Sequence, residues 1–169
     1  MINIALPNEG YTGVTVTGLP FYPPYNDQSG FTWLSCEMDG CNAHAGKGFD
    51  YHYHGDPFNA NTGWCMYSTA DYNGTTAHPP MIGFGRDGYL IYGRHLYSTS
   101  DGYSTALDVC GGHSHGTFGY HYHSQLLNST FTATAFGYTQ GNSYIAYLNG
   151  PYQCKFIYFY SLFNHFIHY

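Results

Sequence analysis

The sequence predicts a mostly β fold: a single domain of two pseudo-symmetric repeats, sandwich-like or barrel-like, loop-rich and disulfide-stapled. Three observations lead there. One Cys/His/Tyr unit occurs twice. Aromatic and β-branched runs alternate with Gly, Pro, Asn and Asp. Helical periodicity is weak throughout.

The repetition is the strongest of these. Glu37 to His54 reads EMDGCNAHAGKGFDYHYH, and Ala106 to His123 reads ALDVCGGHSHGTFGYHYH. At an offset of 69 they match without a gap at Asp39/Asp108, Cys41/Cys110, His44/His113, Phe49/Phe118 and all of Tyr51–His54/Tyr120–His123. Periodic rare residues are the mark of a duplicated unit. Upstream, Gly18-Leu19-Pro20-Phe21-Tyr22 is similar to Gly88-Tyr89-Leu90-Ile91-Tyr92. Repeat one therefore covers about 14–58 and repeat two about 84–127, inside one domain of 1–169.

Strands are expected at Val14–Thr17, Tyr89–Tyr92, Tyr120–Leu127, Thr130–Phe136, Tyr144–Tyr147 and Phe156–Leu162, each aromatic or β-branched. Residues 59–78 read as a long loop between the repeats, and Arg86-Asp87 as a turn pair. Pro23-Pro24 and Pro79-Pro80 mark rigid extended corners. The 156–169 tail begins as a strand without charge, Pro or Gly through Phe163. Such an edge either pairs within its own domain or adds to a neighbouring subunit.

The composition narrows the function. Only 8% of residues are charged, while 20% are aromatic. Disorder requires the reverse. Four basic residues against ten acidic, with no basic cluster, exclude a nucleic-acid partner. The apolar C-terminal run is too short and too polar to be a membrane span. No leader with a basic start and an apolar centre precedes Ile2, so a secreted reading implies a mature chain or a fragment.

Cysteines 36, 41, 65, 110 and 154 form no CxxC pair. Their spread among Gly-rich loops points to disulfides and an oxidising compartment. One cysteine precedes and one follows each YHYH. The expected bridges are thus Cys41–Cys65 and Cys110–Cys154, with Cys36 left over; Cys36–Cys65 or Cys36–Cys41 also fits the count. Sequons at Asn73 and Asn128 agree with an extracellular, glycosylated protein.

The chemistry sits in the histidines. If YHYH is a strand, His52 and His54 share one face and Tyr51 and Tyr53 the other. At a rise of roughly 3.3 Å per residue the two imidazoles stand about 6.6 Å apart at Cα. With His44 they supply three nitrogens, and His113, His121 and His123 repeat the set, with His115 nearby. Three imidazoles and an open position suit a zinc or copper ion; calcium is disfavoured, because it wants oxygen. Asp39 and Asp108 are candidates to orient a ligand through its second nitrogen. A buried Tyr/His hydrogen-bond network, or an acid/base site without metal, would use the same residues. His78 and His95 read as surface or loop-packing residues, and no catalytic residue is assigned.

The motifs GLPFYPPYN, CNAHAGKGFDYHYHGDP, HPPMIGFGRDGYLIYGRHL and ALDVCGGHSHGTFGYHYH, in that order, resemble the YHYH-domain family of secreted bacterial and eukaryotic-microbial proteins. The resemblance implies an extracellular location and carries over no catalytic residue. The expected function is an extracellular structural or binding module, self-assembling into a filament or surface layer, whose His-rich site binds a transition metal. Its partners would be further copies, surface proteins or glycans. The alternative is a metal-dependent secreted hydrolase or oxidase using the histidine cluster.

Overall fold

The computed structural model describes residues 10–22, 32, 37–46, 50–108, 111–127 and 146–148. Cys36, Cys110, Cys154, Asn128, the expected strand 130–136 and the 156–169 tail lie outside these residues.

The fold is a single domain built on one eight-stranded curled sheet, a half-barrel with almost no helix. In chain order its strands are β1 (Gly13–Thr15), β2 (Pro20–Phe21), β3 (Ala43–Ala45), β4 (Tyr51–Tyr53), β5 (Met81–Gly85), β6 (Leu90–Tyr92), β7 (Gly112–His115) and β8 (Phe118–His123). Across the sheet they run β3-β4-β2-β1-β5-β6-β8-β7. A separate antiparallel pair joins β9 (Gln125–Leu127) to β10 (Ala146–Leu148).

The sheet order is a palindrome of corresponding strands. β1 and β5 meet antiparallel at the centre, with Gly13 opposite Gly85, Val14 opposite Phe84 and Thr15 opposite Gly83. At an offset of 70, Val14 corresponds to Phe84, so a pseudo-twofold axis passes through that pair. The flanking bonds obey it: Val16 N–H donates to Ile82 O at 3.0 Å, and Arg86 N–H to Thr12 O at 2.7 Å. Each half then repeats one path. A tight turn returns β1 to β2 and β5 to β6, using Gly18 and Gly88 at φ 86° and 90°, a conformation that favours glycine. β2 and β6 next pair parallel with the YHYH strands β4 and β8. β3 and β7 close the edges antiparallel. The turn before β3 holds Asn42 at φ 59°, where the second half has Gly111 at φ 78°; asparagine is among the few side chains that tolerate this region.

Several expected strands are displaced or incomplete. β1 begins one residue early, and 120–127 divides into β8 and β9. β2, β3, β5 and β7 were not expected, because their Gly, Pro and small residues hide the alternation. Segment 59–78 is a loop with a single 3-10 turn, Thr69–Asp71, closed by a Ser68 capping box. It is not peripheral, since its Tyr67 and Tyr72 enter the core beside Phe21, Ala43, Tyr53, Ile82, Ile91 and Tyr122. Tyr67 donates to buried Asp56 Oδ1 at 2.6 Å, and Asp56 Oδ2 lies 3.2 Å from Arg94 Nε. Burying a side chain such as Phe21, Ile82 or Ile91, each at most 1% exposed, stabilises by about 1.5–3 kcal/mol. Cys41 and Cys65 form a disulfide that ties this loop to the turn before β3; closing such a loop contributes about 3 kcal/mol. Asn73 is exposed.

The central pair tolerates no side chain at its glycines. A Cβ on Gly13 would lie 2.5 Å from Phe84 O, and one on Gly83 would strike Val14 O. Gly83→Ala should therefore destabilise the domain by about 1–3 kcal/mol, whereas Gly119→Ala on β8, with open space around it, should leave it near wild type. Equal melting temperatures for the two variants would contradict this account of the central pair.

Candidate metal centres

β4 alternates as its pattern requires, and the two sides of YHYH take different partners. Tyr53 packs on Phe21 with ring centroids 5.9 Å apart. Tyr51 donates to Asp39 Oδ2 at 2.5 Å, as Tyr120 does to Asp108 Oδ2 at 2.8 Å. The same carboxylates accept the backbone N–H of Ala43 and of Gly112. Asp39 and Asp108 therefore brace the tyrosine side and the turn before the edge strand. The contacts that orient imidazoles come mainly from backbone carbonyls. His52 Nδ1–H donates to Asp50 O at 2.9 Å and His121 Nδ1–H to Gly119 O at 2.6 Å, two residues back on the same chain. Asp87, in the turn after β5, accepts from Tyr122 OH at 2.5 Å.

On the histidine side of the first half, three Nε2 atoms converge. His44–His52 and His44–His54 are 3.1 Å apart, and His52–His54 is 2.9 Å. These contacts cannot all be hydrogen bonds. Each neutral-ring Nε2 is either a donor or an acceptor, so among three mutually touching nitrogens at least two share a role and repel. Protonation is a poor remedy here, because burial and the neighbouring His52 lower the pKa of His44. A cation resolves the conflict. Nitrogens 2.9–3.1 Å apart can all reach one ion at the usual distance of about 2.0–2.1 Å, so His44, His52 and His54 would hold it and leave room for a further ligand. His52 and His54 are buried and His44 is half-buried, with Tyr22 against the His52 ring at 4.4 Å.

The second half is larger. Two sets of ring nitrogens each lie within 4.8 Å of one another: His78, His115, His121 and His123, and His95, His113 and His123. His113 thus groups with His95 and His123 instead of making a copy of the first triad with His121. His78 and His95, read from sequence as surface or loop-packing residues, are brought into the cluster. His78 precedes the Pro79-Pro80 corner leading into β5, and His95 follows β6. Neither has a histidine at the corresponding position of the first half, where residues 8 and 25 are Asn and Tyr. The one sequence signal was their position flanking β5 and β6. His78 Nε2 lies 3.2 Å from His121 Nε2, which lies 3.1 Å from His123 Nε2.

Burial favours the neutral form of five of these rings, His78, His95, His113, His121 and His123. It lowers the pKa of His113 and His121, takes His78 and His95 down to about 4, and His123 to about 2. A histidine whose pKa falls on folding takes up its proton more readily when unfolded. Its contribution to stability is complete above about pH 6.5 and is lost as pH falls below that value. Buried Asp56, raised by burial to about 6, acts in the opposite direction, as one group against these five histidines and His44. The metal-free protein should therefore melt at a lower temperature at pH 4.5 than at pH 7.5. Melting curves in chelator across that range test this, and a flat or rising profile would refute it.

No significant match is found among curated proteins or among solved structures. A family model described as YHYH protein matches residues 4–106. That span contains β1 to β6, the His44/His52/His54 triad, His78 and His95, and ends before the second Tyr-His-Tyr-His. With more than half of its length matched, the chain belongs to the YHYH protein family.

Proposed function

We propose that this protein is an extracellular module that binds a transition-metal ion, zinc or copper, through His44, His52 and His54. The observation that carries the reading is the convergence of three Nε2 atoms at 2.9–3.1 Å, which no arrangement of protons on neutral rings satisfies. An all-imidazole donor set suits zinc and copper and disfavours calcium. The Cys41–Cys65 disulfide and the exposed Asn73 sequon support the extracellular location. Trp64, 73% exposed, together with exposed Val16, Phe84 and Tyr103, supports association with further copies or with other surface proteins and glycans. His44 joins the two strands at the sheet edge, so a bound ion acts as a cross-link between β3 and β4.

The open fourth position also allows the alternative role, a metal-dependent hydrolase or oxidase. Metal binding without turnover of ester, phosphoester or phenol substrates assigns the structural role; turnover lost with the metal assigns the catalytic one.

Purified protein should carry metal, and chelation should lower its melting temperature. An ion at a hundred times its Kd stabilises by about 2.7 kcal/mol. His52→Ala should remove the triad's ion and most of that triad's contribution to the metal-dependent shift. Protein that contains no zinc or copper, and gains no stability from either, would leave the Tyr/His hydrogen-bond network as the role of these residues.

A further inference from the structure

The six histidines of the second half present more nitrogen than one ion can use. Four rings are locked with Nε2 as a bare lone pair, because Nδ1–H donates to a backbone carbonyl: His78 to Pro79 O at 3.0 Å, His113 to Thr105 O at 2.8 Å, His121 to Gly119 O and His123 to Gly93 O at 2.8 Å. The contacts His78–His121 and His121–His123 therefore place acceptor against acceptor. His113 Nε2 and both nitrogens of His95 and of His115 are buried with no hydrogen-bond partner among the described residues. Buried polar nitrogens without partners are rare, and each calls for a missing group. His115 is bordered by Asp101 and Gly102. Its Nδ1 lies 3.4 Å from Asp101 Oδ1, and its ring occupies the space a side chain at Gly102 would fill.

The spacing indicates how many ions fit. Ligands at about 2.0–2.1 Å from one ion can be no more than about 4.2 Å apart. The six nitrogens do not form one set even at 4.8 Å; they divide into two sets that overlap at His123. The rings nevertheless form one continuous body, with centroids of His95 and His123 at 4.3 Å, His113 and His115 at 4.7 Å, and His113 and His121 at 4.8 Å.

We infer that this cluster is a dinuclear site for a late first-row transition metal, three imidazoles to each ion. His78, His115 and His121 hold one ion, and His95, His113 and His123 hold the other. His123 goes to the second set because without it that set has two ligands. Copper(II) is the preferred occupant, since a nitrogen-only donor set follows the general affinity order that peaks at copper. The inference rests on the metal-binding reading above and extends it to a second, chemically different site: the triad takes one ion alone, and this cluster takes a pair.

The test is a copper(II) titration of the full chain with metal counted per chain, followed by electron paramagnetic resonance of the loaded protein. Wild type should bind three ions, and His95→Gln and His52→Ala two each. The loaded wild type should show the half-field transition of two copper ions in close proximity, and His95→Gln should lose it while keeping the triad's ion, which also reports that the variant is folded. Should His95→Gln fail to fold, the wild-type count and spectrum decide alone. Two ions per chain with no half-field signal would overturn the dinuclear site and leave the triad standing. No bound copper at all would overturn the dinuclear site, and only a further failure to take up zinc would overturn the metal-binding reading beneath it.

Discussion

The central pairing of β1 with β5 is the constraint on which the rest of the sheet depends. Two four-stranded halves become one eight-stranded sheet only where Gly13 and Gly83 let the backbones come together. From that axis every strand's place follows in mirrored order. The YHYH strands lie third from the axis on either side, each between a parallel inner neighbour and an antiparallel outer one. They are paired along both edges, and this rigidity allows imidazoles to be held at close range without collapsing onto other partners.

The tetrapeptide itself separates two chemistries by alternation. Tyrosines go to one side, where Phe21 and the carboxylates of Asp39, Asp87 and Asp108 receive them. Histidines go to the other. A carbonyl two residues back on the same chain fixes the proton of the first histidine of each YHYH. Lone pairs are thereby aimed inward by the chain's own backbone. The outer partners of metal-ligating imidazoles commonly perform this orientation; here it is built into the chain.

Much of this was legible in the sequence, and the remainder was hidden for identifiable reasons. The duplication revealed the two halves and the six repeated histidines because Cys, His and Tyr recur at fixed spacing. The disulfide Cys41–Cys65 was read from the same arrangement. Two strands were concealed by glycine: β5, at the central axis, reads Met-Ile-Gly-Phe-Gly, and β7, beside the second YHYH, reads Gly-His-Ser-His, where close backbone approach replaces hydrophobic alternation. His78 and His95 were missed because neither belongs to the repeated motif; tertiary folding brings them in from the ends of β5 and β6. Asp39 and Asp108 were placed near the histidines, whereas strand alternation puts their contacts on the tyrosine side.

The two halves share a frame and differ in what they enclose, and single residues account for part of the difference. Gly46 in the first half stands where the second half has His115. A Cβ at Gly46 would already lie 2.9 Å from His52 Cε1, so the first half cannot take a fourth imidazole there without moving its own triad. In the second half β7 departs from regular register between His113 and His115, and that irregularity, with the bare backbone of Gly102 opposite, makes room for the extra ring. A duplicated sheet thus fixes where imidazoles can stand, and local glycines decide how many of those places are filled. The compact triad and the six-membered cluster are two outcomes of one backbone plan.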